Sequence, residues 1–142
     1  MQTISMLING EQTQAHNGAT FERLNPLDGS VATRAPAATV GDAVAAVDAA
    51  AKAFPAWAAT GPSERRALLI KLRDGLAKRV DELGEIMAHE VGMPLAMAKN
   101  IQAGLPLVSL ENFIKILGDY RFEERIGNSL VVREPYGVVA AI

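Results

Sequence analysis

His16 and His89 are the imidazoles of this sequence, and neither has a second ligand or an acid/base partner near it along the chain. His16 falls in a polar turn and His89 on a helix, where solvated or internally satisfied histidines are far commoner than metal ligands or general bases. Asp81, Glu82 and Glu85 read as the solvated start of a helix, whose dipole favours carboxylates there. Glu123 and Glu124 point to opposite faces of a strand, so they cannot share a proton as an acid/base pair. Met87, Met93 and Met97 suit an adaptable apolar surface, although core filling explains them more simply. Cysteine is absent, which removes disulfides, thiolate metal sites and thiol nucleophiles together. The glycines fit neither the dinucleotide fingerprint nor the P-loop. Taken by themselves, these residues describe an α/β protein without a catalytic constellation.

The elements that would position such residues are those of an ordinary globular protein. A chain of 142 residues with 49% hydrophobic and 21% charged residues is long enough for one domain with a core. A net charge of -2 gives no basic surface for nucleic acid. The longest strongly apolar run, residues 137–142, is too short to span a membrane. Residues 1–10 lack the basic segment and apolar stretch of a secretory signal. The expectation is a cytoplasmic, disulfide-free protein.

Short strands are expected over residues 4–8, 19–24 and 30–34, separated by Asn9-Gly10, Asn25-Pro26 and Asp28-Gly29 turns. Helical periodicity follows Pro36. Thr39 and Asp42 have the spacing of a capping box, and Val40, Val44, Val47 and Phe54 share one face up to Pro55, expected to end that helix. A second helix starts near Ser63 with Leu68, Leu69, Leu72 and Leu76 as its buried stripe. A shorter one runs from Asp81, with Leu83, Ile86 and Met87 inward, and closes near Gly92. Pro94 suits the first turn of a third long helix, and Pro106 should bend it. From Tyr120 the period becomes two, with a hairpin turning at Gly127-Asn128. The unbroken apolar run over residues 138–142 suits a strand covered on both faces, as in a parallel sheet.

The order and spacing of several segments resemble the amino-terminal region of the NAD(P)-dependent aldehyde dehydrogenase superfamily. These are LINGE at residues 7–11, LNPLDGSV at 24–31, DAVAAVDAAAKAFPAW at 42–57, GPSERRALLIKL at 61–72, ELGEIMAHEVGMP at 82–94 and REPYGVVAAI at 133–142. The resemblance implies an α/β fold with the helices and strands of a Rossmann-type cofactor domain and an oligomerisation β-hairpin, incomplete in this chain. Residues 1–119 would belong to the cofactor domain, 120–135 to the hairpin arm, and 136–142 to the first strand of the sheet. The implied reaction is oxidation of an aldehyde to a carboxylic acid through a cysteine thiohemiacetal, with NAD or NADP taking the hydride. The catalytic cysteine, glutamate and asparagine are not in this sequence, so the chain is expected to be the front third of a bacterial enzyme and inactive alone.

The resemblance carries a few residues further. Ile142 matches the strand-end position that lies against the nucleotide, although strand packing accounts for it equally. Ile101 and Leu105 match helix positions lining the substrate entrance, with Gln102 beside them. Leu24, through its carbonyl, and Glu90 match a structural monovalent-cation site found in some members. The hairpin over residues 120–133 matches the arm that joins subunits into a homo-oligomer, a dimer or a tetramer. The segments over 102–106 and 122–135 are most similar to bacterial members acting on small or semialdehyde substrates. A non-catalytic assembly module is the rival expectation, and a small nucleotide-binding protein a third.

Overall fold

The Asn9-Gly10 dipeptide fixes the first tertiary feature of the computed structural model, which describes residues 2–141. Both residues have positive φ, 55° and 79°, as a type I′ hairpin turn demands. The turn joins β2 (Met6–Ile8) to β3 (Glu11–Thr13) in an antiparallel ribbon. Polar β3 has no strand pattern of its own, and the turn alone brings it into register. A separate three-stranded sheet is centred on β5 (Val31–Pro36), antiparallel to β4 (Thr20–Leu24) and parallel to β1 (Gln2–Thr3). The strands expected over 19–24 and 30–34 therefore form, while of residues 4–8 only the second half is strand.

Helix α1 (Val40–Ala58) begins with the anticipated capping box: the Thr39 hydroxyl accepts from the Asp42 N–H, and the Asp42 carboxylate accepts from the Thr39 N–H at 2.8 Å. It does not stop at Pro55. Proline lies in the last turn, where it forfeits one intrahelical bond, and side chains satisfy the carbonyls that follow. Arg65 donates to the Trp57 and Ala58 carbonyls at 3.4 and 3.1 Å, and the Thr60 hydroxyl to Trp57 at 2.6 Å. Helix α2 (Pro62–Ala77) starts on Pro62, one residue before Ser63. Helix α3 (Val80–Val91) closes on Gly92, whose left-handed φ of 71° makes the cap.

The expected third long helix is divided. It consists of α4 (Leu95–Met97), a π-helical turn (Ala98–Ala103) and α5 (Leu105–Asp119). Pro106 sits in the first turn of α5, where its missing N–H needs no acceptor, so it starts a helix rather than bending one. The chain then forms the hairpin of β6 (Glu123–Ile126) and β7 (Ser129–Val132) around Gly127. Residues 133–141 carry no helix or strand, so the strand expected over 138–142 is not formed within them. Val139 is 78% exposed, and no described strand lies beside it to take its backbone hydrogen bonds. Ile142 lies outside the described residues.

Packing is thin for a chain of this size. Helix α2 lies along α5, with the Arg66 guanidinium on the Ile114 carbonyl at 3.1 Å and an Arg73–Glu111 ion pair at 2.5 Å. Ile114, only 2% exposed, is the largest buried apolar side chain among the described residues. The stripes read as buried are half open: Leu68 and Leu72 are exposed, and Val40 on α1 is 82% exposed. No described helix is long and apolar enough to cross a membrane.

Candidate functional site

The π-helical turn is held from its inner side. Ala98 and Ala103 are buried, and the turn packs against α3, whose buried residue is Gly84. A Cβ on Gly84 would stand 2.4 Å from the Lys99 Cγ and 3.1 Å from its Cα, so only glycine allows this approach. The Lys99 ammonium reaches Asp81 at 2.9 Å and Glu85 at 3.6 Å. The Asp81 hydrogen bond, ahead of the Coulombic attraction of both acids, raises its pKa above the usual lysine value. Asp81 and Glu85 are therefore partners of a lysine as well as a helix start, while Glu82 pairs with Arg79 at 2.7 Å. Ile101, Gln102 and Leu105 lie on consecutive turns of this segment and are all exposed. With half-exposed Met97 and Val108 they form an outward apolar wall carrying one amide. Gly84 and Lys99 went unnoticed in the sequence. Their signal is a mid-helix glycine, which costs about 1 kcal/mol against alanine and so needs a packing reason.

A second cleft, of about 500 Å³, opens between β5 and α3. The Asn25 side-chain carbonyl accepts from the Leu27 N–H at 2.9 Å and shapes its loop. Ser30, through hydroxyl and N–H, holds the Asp28 carboxylate and lowers its pKa below the ordinary aspartate value. Buried Thr33 donates its hydroxyl to Glu90 Oε1. Glu90 therefore faces this cleft, as does His89, whereas Leu24 is not among the lining residues. Apart from the His89 imidazole, the donors facing the cleft are oxygens, which suit a hard cation rather than a thiophilic metal. Among the described residues no group of three or more His, Cys, Asp or Glu is placed to hold a metal ion. His16 lies elsewhere, its N–H on Asp42 at 3.2 Å.

The hairpin leaves its outer backbone edges unpaired in a two-stranded sheet. Glu123 pairs across from Val132 and Glu124 from Val131, which puts the two glutamates on opposite faces. Arg133 anchors the base of the ribbon, donating to Glu124 at 2.7 Å and to the Arg121 carbonyl at 3.2 Å. Its guanidinium lies 5.8 Å from the Tyr120 ring centroid. Ile126, Leu130 and Val132 are exposed, so the ribbon offers apolar side chains together with free strand edges.

Known proteins share this fold. The model of the aldehyde dehydrogenase family matches residues 13–142. Vanillin dehydrogenase from Pseudomonas fluorescens is 36% identical, with 100% of this chain and 30% of that protein aligned. The crystal structure of a salicylaldehyde dehydrogenase from Pseudomonas putida G7, complexed with salicylaldehyde, superposes with a TM-score of 0.69 at 34% identity, over 83% of this chain and 23% of the other. PnpE from Pseudomonas sp. WBC-3 superposes with a TM-score of 0.81 at 30% identity, over 90% of this chain and 26% of the other. PnpE has also been solved in complex with nicotinamide adenine dinucleotide. The chain thus spans about 30% of the length of the curated relatives it matches. Sequence and fold agree over nearly the whole chain, which belongs to the aldehyde dehydrogenase family.

Proposed function

We propose that the whole protein oxidises an aldehyde to a carboxylic acid with NAD or NADP, and that this chain is its amino-terminal part. The match of the family model over residues 13–142 carries this reading. The nicotinamide cofactor, when bound, supplies the hydride acceptor. This chain has no cysteine and so no thiol nucleophile, and its part is to enclose and assemble. Ile101, Gln102 and Leu105 form one wall of the substrate passage: the apolar pair excludes water, and the Gln102 amide offers a donor and an acceptor to a polar substituent. The family resemblance assigns the nucleotide contact to Ile142, which lies outside the described residues. The hairpin over residues 120–133 joins subunits; of Leu24 and Glu90, which the resemblance assigns to a monovalent-cation site, Glu90 faces the cleft and would offer it an oxygen.

The relatives support one substrate class. Vanillin and salicylaldehyde dehydrogenases are named for aromatic aldehydes, and a wall of exposed apolar residues with one amide suits a ring bearing a hydroxyl. A hydroxylated aromatic aldehyde is therefore preferred here to the small or semialdehyde substrates that the 102–106 and hairpin segments suggest. The test is aldehyde-dependent NADH or NADPH formation by the full-length enzyme with vanillin, salicylaldehyde and succinate semialdehyde. The aromatic pair should be turned over with the higher kcat/KM; no cofactor reduction with any aldehyde would overturn the reading. The open apolar hairpin favours one rival, a non-catalytic assembly module, for which the same assay returns nothing while size-exclusion chromatography with a partner returns a complex.

A further inference from the structure

The turn that carries Ile101 and Gln102 is π-helical, and its outward side is open while its inner side is locked. We propose that Gly84 and Lys99 are positioning residues: by fixing this π-turn against α3 they set where the Ile101–Gln102 wall stands, and so which aldehydes pass. The inference rests on the reading of that wall as part of the substrate passage.

A π-turn holds one more residue than an α-turn, so relaxing it to α rotates what lies beyond it by about 100°. The side chains before Gly104 and those after it therefore keep their relative phase only while the turn persists. Three contacts hold it. Gly84 lets the turn approach so closely that an added Cβ would meet the Lys99 backbone nitrogen at 3.2 Å as well as its side chain. Lys99 ties the turn to α3 through Asp81 and Glu85, at 2.9 and 3.6 Å. Gly104 ends it, and a Cβ there would stand 2.5 Å from the Asn100 carbonyl oxygen. Neither Gly84 nor Lys99 belongs to the exposed wall, so they act on selectivity through the turn rather than by touching the aldehyde.

The experiment compares full-length enzyme carrying Gly84→Ala, Lys99→Met, Lys99→Arg, Ile101→Ala and Gln102→Ala, with KM and kcat measured for salicylaldehyde and for acetaldehyde. Gly84→Ala and Lys99→Met are expected to change the salicylaldehyde-to-acetaldehyde ratio of kcat/KM by about tenfold, the size of a one-methylene misfit in a pocket. The change should reside in KM, leave kcat for acetaldehyde within about twofold, and be restored by Lys99→Arg. If Ile101→Ala and Gln102→Ala alter the ratio but Gly84→Ala and Lys99→Met do not, the positioning role is wrong. If Ile101→Ala and Gln102→Ala leave the ratio unchanged, the wall reading fails and takes the inference with it. Should Gly84→Ala not fold, the Lys99→Met and Lys99→Arg pair decides alone, since removing the charge must shift the ratio and keeping it as arginine must leave the ratio near the wild-type value.

Discussion

Asp42 is the side chain that connects the first ribbon to the first helix. Its carboxylate accepts from the Thr39 N–H and hydroxyl, both at 2.8 Å, and from the His16 N–H at 3.2 Å. Those bonds, the Thr39 N–H first and its hydroxyl next, hold the Asp42 pKa below the ordinary aspartate value near about 3.9. A depressed folded pKa stabilises the fold above the unfolded value and loses that contribution as pH falls through the folded one. Wild type should therefore melt higher than Asp42→Asn at neutral pH, and the gap should close as the solution is acidified below about pH 4. Thermal denaturation followed by circular dichroism across pH checks this, and a gap that persists in acid would assign Asp42 a different role. Gly92 is the second residue of this kind. It closes α3 at φ 71°, and a Cβ there would meet the Pro26 ring at 2.6 Å. Gly92→Ala should cost about 1–2 kcal/mol from the left-handed backbone alone, read from the urea midpoint. Both residues were legible in the sequence, because caps are written in neighbouring positions. The Lys99 ion pair was not, because its acids lie on another helix.

At the scale of elements, what the sequence concealed is what tertiary contacts decide. Pro55 reads as a stop by local rules, and the helix passes it because Arg65 and Thr60, beyond its end, satisfy the last carbonyls. The π-turn likewise has no local marker: the apolar spacing of Ala98, Ile101 and Leu105 is ordinary for an α-helix, and the close approach to Gly84 lies fourteen or more positions back along the chain. The α2–α5 pair was visible as two amphipathic patterns but not as a pair. Its shared core is narrow, with Ile114 at 2% exposure beneath the Arg66 bond to the Ile114 carbonyl. Ile114→Ala should accordingly destabilise by about 2–5 kcal/mol, transfer and cavity terms together. A chemical denaturation curve should show this as a lower midpoint with an unchanged slope; a loss under 1 kcal/mol, by the same scale, would mean that the site collapses around the cavity.

At the scale of the whole molecule, the accessible surface is the governing quantity. The chain exposes 10463 Å², about half as much again as the roughly 7,100 Å² typical of a compact protein of its mass. The excess includes large apolar side chains: Val40, Val44 and Val47 on α1, Leu72 on α2, Phe113 and Ile116 on α5, and Ile126, Leu130 and Val132 on the hairpin. Exposed apolar patches of such extent mark surfaces that meet other protein. In the proposed enzyme the helical faces meet the remainder of the chain, while the hairpin, with free strand edges, meets another subunit. The two kinds of face separate by mutation. Leu130 sits across from Arg125 on one side of the ribbon, so Leu130→Asp places a carboxylate in the subunit contact without touching any helix. Full-length enzyme carrying Leu130→Asp should elute from size-exclusion chromatography with light scattering at a smaller mass than wild type, while its circular dichroism stays native. A Val44→Asp variant should instead lower the unfolding midpoint and leave the assembly of the folded fraction unchanged. Wild-type mass retained by Leu130→Asp at micromolar concentration would remove the hairpin from the subunit interface, whatever the fate of the helical faces.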